Sequence, residues 1–401
     1  MRWPFGRLAL LLARHSPLRG CSSLAPRQPP KWPAAYIAYF CNQTLANFAR
    51  SSYTFRVLKA LTQQLARHES LTAQEVRAAV DELAGEAAGI ETKADFLAAL
   101  ALKGETPDEI AGFAVELRRL SVEPPVDDHT RARQILDVCG TGGDRMNTYN
   151  ISTTVALVAA AAGVPVAKHG NRAVTSQAGS ADVLEALGIN IELTPAQAAQ
   201  SLREHDFAFF FAPNYHPVFK QIAPVRRFCG ERGQKTIFNY LGPLLNPARP
   251  ALQLAGVPRP DLCLPLAGVM QSLGLRRGMV VCGAVPNGHL DELSTLGETT
   301  VAEFYQPRGL NSSSLLPANF PIQPATLADL AGGNRHDNAQ IIRRLLRGED
   351  RGPKRDAALL NAAAALFVAE KCRSLADGWK LAEELIDSGK AWAKLQSLIA
   401  N

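Results

Sequence analysis

A glycine-rich stretch and a polar helix start form the first pattern with chemical meaning. The sequence G-T-G-G-D (140–144) holds three glycines, which let backbone N–H groups approach an anion closely. It is neither a Walker A loop nor a G-x-G-x-x-G motif. Alone, such a turn is more often only structural. Because N-I-S-T (150–153) follows at a predicted helix N-terminus, phosphate binding is the better interpretation.

A second polar stretch follows the next predicted strand. K-H-G-N-R (168–172) and S-Q-A-G-S (176–180) combine two fixed cations, a histidine and several hydroxyls around glycines. This composition suits a highly charged phosphorylated ligand, and a solvated surface loop is the alternative. His169 alone is more often a structural histidine than a catalyst.

Charged side chains at two further places could bind a metal ion or a substrate. Asp291 and Glu292 are adjacent carboxylates, usually a surface feature, but phosphate loops require Mg²⁺ to neutralise a pyrophosphate. Because Mg²⁺ takes one or two carboxylates plus substrate oxygens, we predict a metal site here. Arg226 could bind a carboxylate or lie on a solvated helix face, and the sequence leaves both open.

The N-terminal elements that precede these motifs are predicted to be helical. From Thr54 to Leu120 apolar residues recur at helical spacing, and capping boxes occur at 72–75 and 106–109. We predict a small all-helical domain over 54–122, which a Pro-containing linker at 121–131 ends.

Short apolar strands then alternate with helices over 130–401. This alternation predicts a larger α/β domain with a mostly parallel central sheet flanked by helices. Such sheets bind ligands beyond the carboxyl ends of their strands, which is where the motifs fall. The predicted strands are Ile135–Cys139, Val164–Ala167, Phe207–Phe211, Leu252–Val257, Met279–Cys282 and Thr300–Tyr305, and three helices close the chain at Asp356–Val368, Leu375–Ile386 and Trp392–Ile399.

The charge of the 401-residue chain is unevenly placed. The formal net charge is +6. Residues 1–68 hold ten of the 43 Lys and Arg residues and none of the 37 Asp and Glu residues. The remainder is therefore net negative, which argues against a nucleic-acid partner.

Residues 1–53 form an extension that is rich in Arg, Ser and Pro and free of acidic residues. Three interpretations stay open: an over-long gene prediction that is disordered, an organelle transit peptide, and a structured arm.

The seven cysteines are odd in number, scattered and without a C-x-x-C pair. This pattern predicts free thiols in a reducing compartment and no zinc framework. We expect a cytoplasmic protein, or an organellar one if the extension is a transit peptide. No apolar run approaches the ~20 residues of a membrane-spanning helix, so a membrane partner is not expected.

Several ordered motifs together resemble the anthranilate phosphoribosyltransferases of tryptophan biosynthesis, over roughly residues 55–400. Besides the stretches above, the motifs are G-S-A-D-V-L-E-A-L-G (179–188), N-Y-L-G-P-L-L-N-P (239–247) and L-D-E (290–292). K-G-E-T-P-D-E-I-A-G (103–112) and L-N-A-A-A-A-L (360–366) look like the family's flanking helices.

The resemblance implies a homodimer formed through the helical domains, with a later helical excursion at 214–248. It implies attack of the anthranilate amine on C1 of phosphoribosyl pyrophosphate (PRPP), with Mg²⁺, two ions per active site, and no residue assigned as acid or base. The residues implied to bind PRPP are Gly140, Gly143, Asp144, Thr148, Asn150, Ile151, Ser152, Thr153, Lys168, His169, Gly170, Asn171, Arg172, Ala173, Val174, Thr175, Ser176 and Ser180.

The resemblance also implies roles at the metal and the acceptor. Ser152 with Glu292 would bind one Mg²⁺, and Asp291 with Glu292 the second. The residues implied to lie along the anthranilate path are Gly140, Asn171 and Arg226, with Arg226 facing the carboxylate.

Three positions depart from the family pattern. They are Arg145, Gln177 and the stretch 228–235, which is about three residues longer than usual. The longer stretch is expected to be a loop. Because it follows Arg226 directly, it would alter the anthranilate entrance that Arg226 is implied to face.

Two rival functions share this fold. A pyrimidine nucleoside phosphorylase has a similar K-x-x-x-R loop but continues differently after it and lacks the paired carboxylates. A non-catalytic nucleic-acid-binding relative would have a basic main body and a damaged metal site.

Overall fold

A computed structural model describes residues 57–173, 177–306 and 309–399. The extension predicted at 1–53 and three residues of the second phosphate stretch (Val174, Thr175 and Ser176) lie outside these ranges. The described chain begins with four helices: α1 (Val57–Ala66), α2 (Ala73–Ala84), α3 (Ile90–Lys103) and α4 (Pro107–Arg119).

Both predicted capping boxes are confirmed at the starts of these helices. The Thr72 side chain accepts a hydrogen bond from the Glu75 backbone N–H, and the Glu75 carboxylate accepts one from the Thr72 backbone N–H. Thr106 and Glu109 form the same reciprocal pair at α4, which has Pro107 as its first residue. These caps satisfy amides that the first helical turn leaves without partners.

The α/β part is built on one eight-stranded sheet in the order β3-β2-β1-β4-β5-β7-β8, with β6 paired to β5. Strands β1 to β5 run parallel, and the remaining strands pair antiparallel. The strands are β1 (Leu136–Gly140), β2 (Val166–Gly170), β3 (Phe207–Phe211), β4 (Leu252–Gly256), β5 (Arg277–Val285), β6 (Gly288–Leu290), β7 (Thr299–Tyr305) and β8 (Asn311–Leu315).

Helices occupy the connections between these strands and the C-terminal region. They are α5 (Asp128–Ala132), α6 (Ile151–Ala161), α7 (Ser180–Leu187), α8 (Pro195–His205), α9 (Ala212–Tyr215), α10 (Phe219–Glu231), α11 (Cys263–Ser272), α12 (Arg335–Leu346), α13 (Pro353–Val368), α14 (Leu375–Asp387) and α15 (Lys390–Ile399).

The sheet lies between the two larger of three hydrophobic clusters, because successive strand residues point to opposite faces. On β5, Met279 and Val281 pack with α6 and α13, whereas Val280 and Cys282 pack on the side of α1 to α4 and α11. This arrangement confirms the predicted fold class, a small helical domain followed by an α/β domain.

Helix α10 belongs to the second core although it follows β3 in the chain. Its buried residues Ile222 and Val225 join the same cluster as Leu97 of α3, and α10 packs against both α2 and α3. The described residues of 214–248 outside α9 and α10 form short 3₁₀ turns at Ile237–Asn239 and Gly242–Leu245 and irregular backbone.

Some elements were missed or misjudged in length. Strand β5 extends beyond the predicted 279–282 on both sides, because Arg277 precedes the apolar run and Gly283 interrupts it before the strand ends at Val285. Strand β8 reads N-S-S-S-L and is mostly exposed, so the alternation that predicts a strand is absent. None of the helices in the described ranges is long and apolar enough to cross a membrane.

Candidate active site

The glycine-rich stretch lies at the carboxyl end of β1, as predicted. Gly142 and Gly143 adopt φ values of +73° and +83°, a conformation that glycine takes readily. The backbone N–H of Gly142 donates a hydrogen bond to Oδ2 of Asp291 at 2.7 Å. The first phosphate stretch and the predicted metal carboxylates therefore meet, although they are 149 residues apart in sequence.

The carboxylate pair rests directly on the sheet because two strands end in glycine. A Cβ placed on Gly140 would lie 2.1 Å from Asp291 Oδ2, and one placed on Gly256 would lie 1.5 Å from the Asp291 backbone oxygen. Neither position has room for a side chain. Gly256, at the end of β4, was not singled out from the sequence, since its role depends on this distant contact.

The N-terminus of α6 faces the same carboxylates. The Ser152 backbone N–H donates to Oε1 of Glu292 at 3.2 Å. Asn150, which precedes the helix, makes no side-chain cap. Its amide instead donates to the Ala178 oxygen at 3.3 Å and accepts from the Asn338 amide at 2.8 Å. The N-terminus of α6 thus lies beside the carboxylate pair and beside the second phosphate stretch, and no side chain caps it.

Lys168 supplies a cation beneath this cluster. Its side chain is 2% exposed, and Nζ donates to the Val138 oxygen at 2.7 Å and to Ser152 Oγ at 3.3 Å. Burial lowers the pKa of Lys168, while the neighbouring Asp137 carboxylate opposes that effect. Asp137, fully buried, accepts from Gln253 Nε2 at 3.3 Å. Asp137 and Gln253 were missed in the sequence because both lie within apolar strands.

Three carboxylates crowd this region. Desolvation and the charge of Asp144 raise the pKa of Asp291 to about 7. Desolvation and the charge of Asp291 raise the pKa of Glu292 well above its ordinary value, against the effect of Lys168. One lysine does not balance this charge, so the donor set fits a divalent cation, which prefers carboxylate oxygens.

Within the described ranges no three His, Cys, Asp or Glu side chains are arranged to hold a metal ion by themselves. A Mg²⁺ site that keeps substrate oxygens or water among its ligands does not need three. Asp291 and Glu292 are both half-buried, so the site is open to such ligands.

His169 is held next to a second histidine that the sequence analysis did not single out. The Nε2 atoms of His169 and His216 lie 3.2 Å apart. Desolvation, together with His216, lowers the pKa of His169 to about 3, and desolvation lowers the pKa of His216 to about 4. Both rings are therefore neutral at neutral pH, and His169 adds no positive charge to a phosphate site.

Arg172 points toward α7. Its Nη1 lies 3.0 Å from Asp182 Oδ1 and 3.1 Å from Glu185 Oε2. Asp182 also accepts from the backbone N–H groups of Ala173 and Gly179 through Oδ2, both at 2.9 Å. Asp182 thereby fixes both described ends of the second phosphate stretch.

The other residues predicted to bind PRPP differ in their burial and in their hydrogen bonds. Ile151 and Thr153 are 1% and 0% exposed, so neither residue presents a side chain at the surface of the site. Thr148 pairs through its backbone with Ala331. Ser180 Oγ donates to the Asn171 oxygen at 3.4 Å, which keeps these two residues together.

Arg226 lies on α10 and is exposed. It forms no ion pair with any described residue, and its guanidinium carbon lies 5.9 Å from the centre of the Phe238 ring. The stretch expected to be a loop at 228–235 is helical as far as Glu231. The chain then turns at Gly233, with φ +67°, so the expectation of a loop over the whole stretch was wrong.

Family models match nearly the whole described chain. A glycosyl transferase family α/β domain matches residues 132–392, and a glycosyl transferase family helical bundle domain matches residues 59–121.

This chain aligns with almost the entire length of the curated relatives. An anthranilate phosphoribosyltransferase from Lacticaseibacillus casei is 46% identical over 86% of this chain and 97% of its own. One from Methanocorpusculum labreanum is 45% identical over 84% of this chain and 96% of its own.

Solved structures share the fold. The crystal structure of anthranilate phosphoribosyltransferase from Thermus thermophilus has a TM-score of 0.77 at 40% identity, covering 85% of this chain and 98% of that chain. The enzyme from Saccharomyces cerevisiae in complex with PRPP and Mg has a TM-score of 0.75 at 27% identity, covering 86% of this chain and 97% of that chain.

Proposed function

The chain belongs to the anthranilate phosphoribosyltransferase family, and we propose that the residues described above carry out that family's reaction. The protein transfers the 5-phosphoribosyl group of PRPP to the amine of anthranilate and releases pyrophosphate, a step of tryptophan biosynthesis. The observation that supports this assignment of residues best is the meeting of the glycine-rich stretch and the α6 N-terminus with Asp291 and Glu292, through the N–H groups of Gly142 and Ser152.

The PRPP side uses mainly backbone groups. The amides of the glycine-rich stretch and of the α6 N-terminus, apart from those of Gly142 and Ser152 that bind the carboxylates, face the phosphates, as helix N-termini favour anions. Lys168 adds a fixed positive charge from β2, and the second stretch, held by Asp182, encloses the rest of the ligand. Arg172 contributes to that enclosure from its ion pairs with α7.

Mg²⁺ is the cofactor, and its residues are Ser152, Asp291 and Glu292. We assign two ions to the site, one shared by Ser152 and Glu292 and one by Asp291 and Glu292. When bound, Mg²⁺ neutralises charge on the departing pyrophosphate. The excess of negative side chains around Asp291 is what makes this donor set suitable for such ions.

The reaction needs positioning and charge stabilisation rather than a nucleophilic side chain. The amine nitrogen of anthranilate forms a bond to C1, the bond from C1 to the pyrophosphate oxygen breaks, and one amine proton is released. An uncharged aromatic amine is already a nucleophile, so orientation within the site supplies much of the acceleration. His169 contacts the substrate as a neutral ring and is not the base.

The acceptor side lies between β2 and α10. Gly140 and Asn171 border the path of anthranilate, and Arg226 binds its carboxylate. Arg226 suits this role because its guanidinium forms no ion pair with a described carboxylate that the substrate would have to displace.

We also propose a homodimer that forms through the helical domain, comprising residues 54–122 and the excursion at 214–248. Large apolar side chains are exposed on α3 and α4: Leu102 at 77%, Val115 at 50% and Ile90 at 46%. Association through this domain would cover apolar surface of this kind. Light scattering of the wild type and of Leu102→Glu tests this, since the substitution should favour monomers.

A reducing compartment suits the five described cysteines, Cys139, Cys229, Cys263, Cys282 and Cys372, which are all free thiols. We therefore place the protein in the cytoplasm, with an organelle as the alternative if residues 1–53 target it.

The test follows the loss of anthranilate fluorescence when the full chain is mixed with PRPP and Mg²⁺, and again after EDTA is added. We expect a Mg²⁺-dependent loss. Asp291→Asn combined with Glu292→Gln should abolish turnover while circular dichroism stays unchanged. Activity at the wild-type level in this double variant at limiting Mg²⁺ would overturn the metal assignment.

A further inference from the structure

The carboxylate pair lies on backbone that has no regular secondary structure of its own. Asp291 and Glu292 follow the short strand β6, and residues 291–298 form bends before β7 begins. A carboxylate that binds metal must be held in place by its surroundings. The hydrogen bonds from Gly142 and Ser152 hold the side chains but leave the backbone of this segment to be fixed by other groups.

A buried asparagine on α13 fixes that backbone. Asn361 is 0% exposed and lies in the middle of a helix whose other residues are mostly buried Ala and Leu. Its Oδ1 accepts from the Leu293 N–H at 2.8 Å, and its Nδ2 donates to the Leu293 oxygen at 3.0 Å. The same Nδ2 donates to the Ala357 oxygen at 2.9 Å.

The first of these bonds acts on the peptide group that joins Glu292 to Leu293, and the second acts on the peptide that follows it. The Leu293 nitrogen belongs to the Glu292–Leu293 peptide, so Asn361 fixes one side of it. On the other side the Glu292 oxygen lies against β5, where a Cβ on Gly283 would be 2.6 Å away. The peptide that carries Glu292 is therefore held between Asn361 and Gly283.

An apolar residue would suit this place in the helix better on packing grounds. Asparagine is a poorer helix former than alanine or leucine, and a buried amide is costly unless it is hydrogen-bonded. Asn361 avoids that cost only through its bonds to Leu293 and Ala357. Its presence in α13 is thus explained by the segment that it holds.

We propose that Asn361 is a positioning residue for the metal-binding carboxylates, and above all for Glu292. The inference rests on the proposed function, because it takes Glu292 to be a ligand of both ions. Without Asn361 the Glu292–Leu293 peptide loses the hydrogen bond of its N–H, the following peptide loses the bond to its oxygen, and the carboxylate samples orientations that do not bind metal.

The experiment measures Mn²⁺ binding by electron paramagnetic resonance, on the full chain with PRPP and without anthranilate, so that no turnover occurs. Asn361→Leu keeps the branched shape of the side chain and removes all three bonds. Loss of a group that orients a metal ligand commonly weakens binding roughly ten- to a hundredfold, and we expect a change in that range. The KM for anthranilate should change much less than the Mn²⁺ affinity.

Thr130→Val is the matched control for a lost buried hydrogen bond. Thr130 is also 0% exposed, and its hydroxyl donates to Asp127 at 2.9 Å, in the short helix α5. We expect this variant to lose stability and to bind Mn²⁺ like the wild type. Wild-type Mn²⁺ affinity in folded Asn361→Leu would overturn the proposal.

Two further variants keep the test decisive. Asn361→Asp retains an acceptor for the Leu293 N–H and loses the amide donor, so we expect an intermediate Mn²⁺ affinity. If Asn361→Leu does not fold, wild-type Mn²⁺ affinity in Asn361→Asp would overturn the proposal.

The Asp291→Asn and Glu292→Gln double variant separates the positioning role from the proposed metal site. If it binds Mn²⁺ normally, the proposed metal site itself is wrong; if only Asn361→Leu binds normally, the positioning role alone is wrong.

Discussion

The two sides of the site are built in different ways. On the metal side, Asp291 and Glu292 lie on glycine-ended strands, and backbone N–H groups and a buried asparagine hold them. On the acceptor side, Arg226 projects from α10 with no carboxylate partner in the described chain and only the Phe238 ring nearby. The metal side is determined by backbone contacts, whereas the group proposed to bind the anthranilate carboxylate is a single side chain on a helix.

This difference determines which positions of the site can accept a substitution and which cannot. A backbone contact such as that of Gly256 with Asp291 tolerates no added atom, so the part proposed to handle the pyrophosphate is fixed by the sheet. A side chain on α10 can be replaced without disturbing the sheet. Substitutions on the two sides should therefore affect different kinetic quantities, and each prediction below tests that separation.

The largest effect is expected at Gly256. In Gly256→Ala the new Cβ would lie 1.5 Å from the Asp291 oxygen, so the carboxylate segment must move. Displacement of reacting or positioning groups by about 1 Å can cost roughly a hundredfold in rate, and we expect kcat to fall at least that far.

The control for this substitution is Gly89→Ala. A Cβ on Gly89 would meet nothing within 4 Å, so steady-state activity should stay near that of the wild type. If Gly256→Ala retained wild-type kcat, the metal side would not depend on this backbone contact.

Arg226→Ala comes next and should act on the acceptor alone. A hydrogen bond to a charged group contributes roughly 1.5–3 kcal/mol, which corresponds to an increase in the anthranilate KM of about ten- to a hundredfold. The PRPP KM should change little. Steady-state kinetics with each substrate varied in turn measures both, and Arg227→Ala, also exposed on α10, is the control. An equal effect on both KM values would place Arg226 outside the anthranilate site.

The sequence was sufficient to recognise features that depend on the types of neighbouring residues. The phosphate stretches, Asp291 with Glu292 and the two capping boxes were recognisable locally, and the apolar runs predicted the sheet. Asn361 was visible within a motif but without a role, since its partner Leu293 is 68 residues away. The contact of Gly256 and the histidine partner of His169 likewise exist only once the strands are assembled.

His216 connects the two sides, because it precedes α10 and contacts His169 at the end of β2. Burial lowers its pKa from 6.5 to about 4, so the unfolded chain binds more protons than the folded protein in that interval. Stability is therefore complete above pH 6.5 and falls as the pH is lowered. The linkage relation gives a loss of about 2 kcal/mol between pH 7 and pH 5 for one such histidine.

We expect His216→Asn to reduce that loss. Urea unfolding of the wild type and the variant at the two pH values measures the free energy of unfolding. Removal of His216 also removes its unfavourable interaction with a charged His169, which acts in the same direction. The same pH dependence in both proteins would mean that His216 is not buried as a neutral ring.

The smallest effect is expected at the end of α10. The Arg232 guanidinium lies over the Phe228 ring at 3.9 Å, and both residues belong to the stretch 228–235, which we predict from the sequence to be longer than is usual in the family. An exposed contact of this kind is worth roughly 0.5–1 kcal/mol, so Arg232→Ala should lower the free energy of unfolding by about that amount. The anthranilate KM should stay within about twofold of the wild type, since a change below 0.4 kcal/mol corresponds to no more than that. If Arg232→Ala instead raised this KM as far as Arg226→Ala, the acceptor side would extend to the end of the helix, and the added residues would take part in recognising anthranilate.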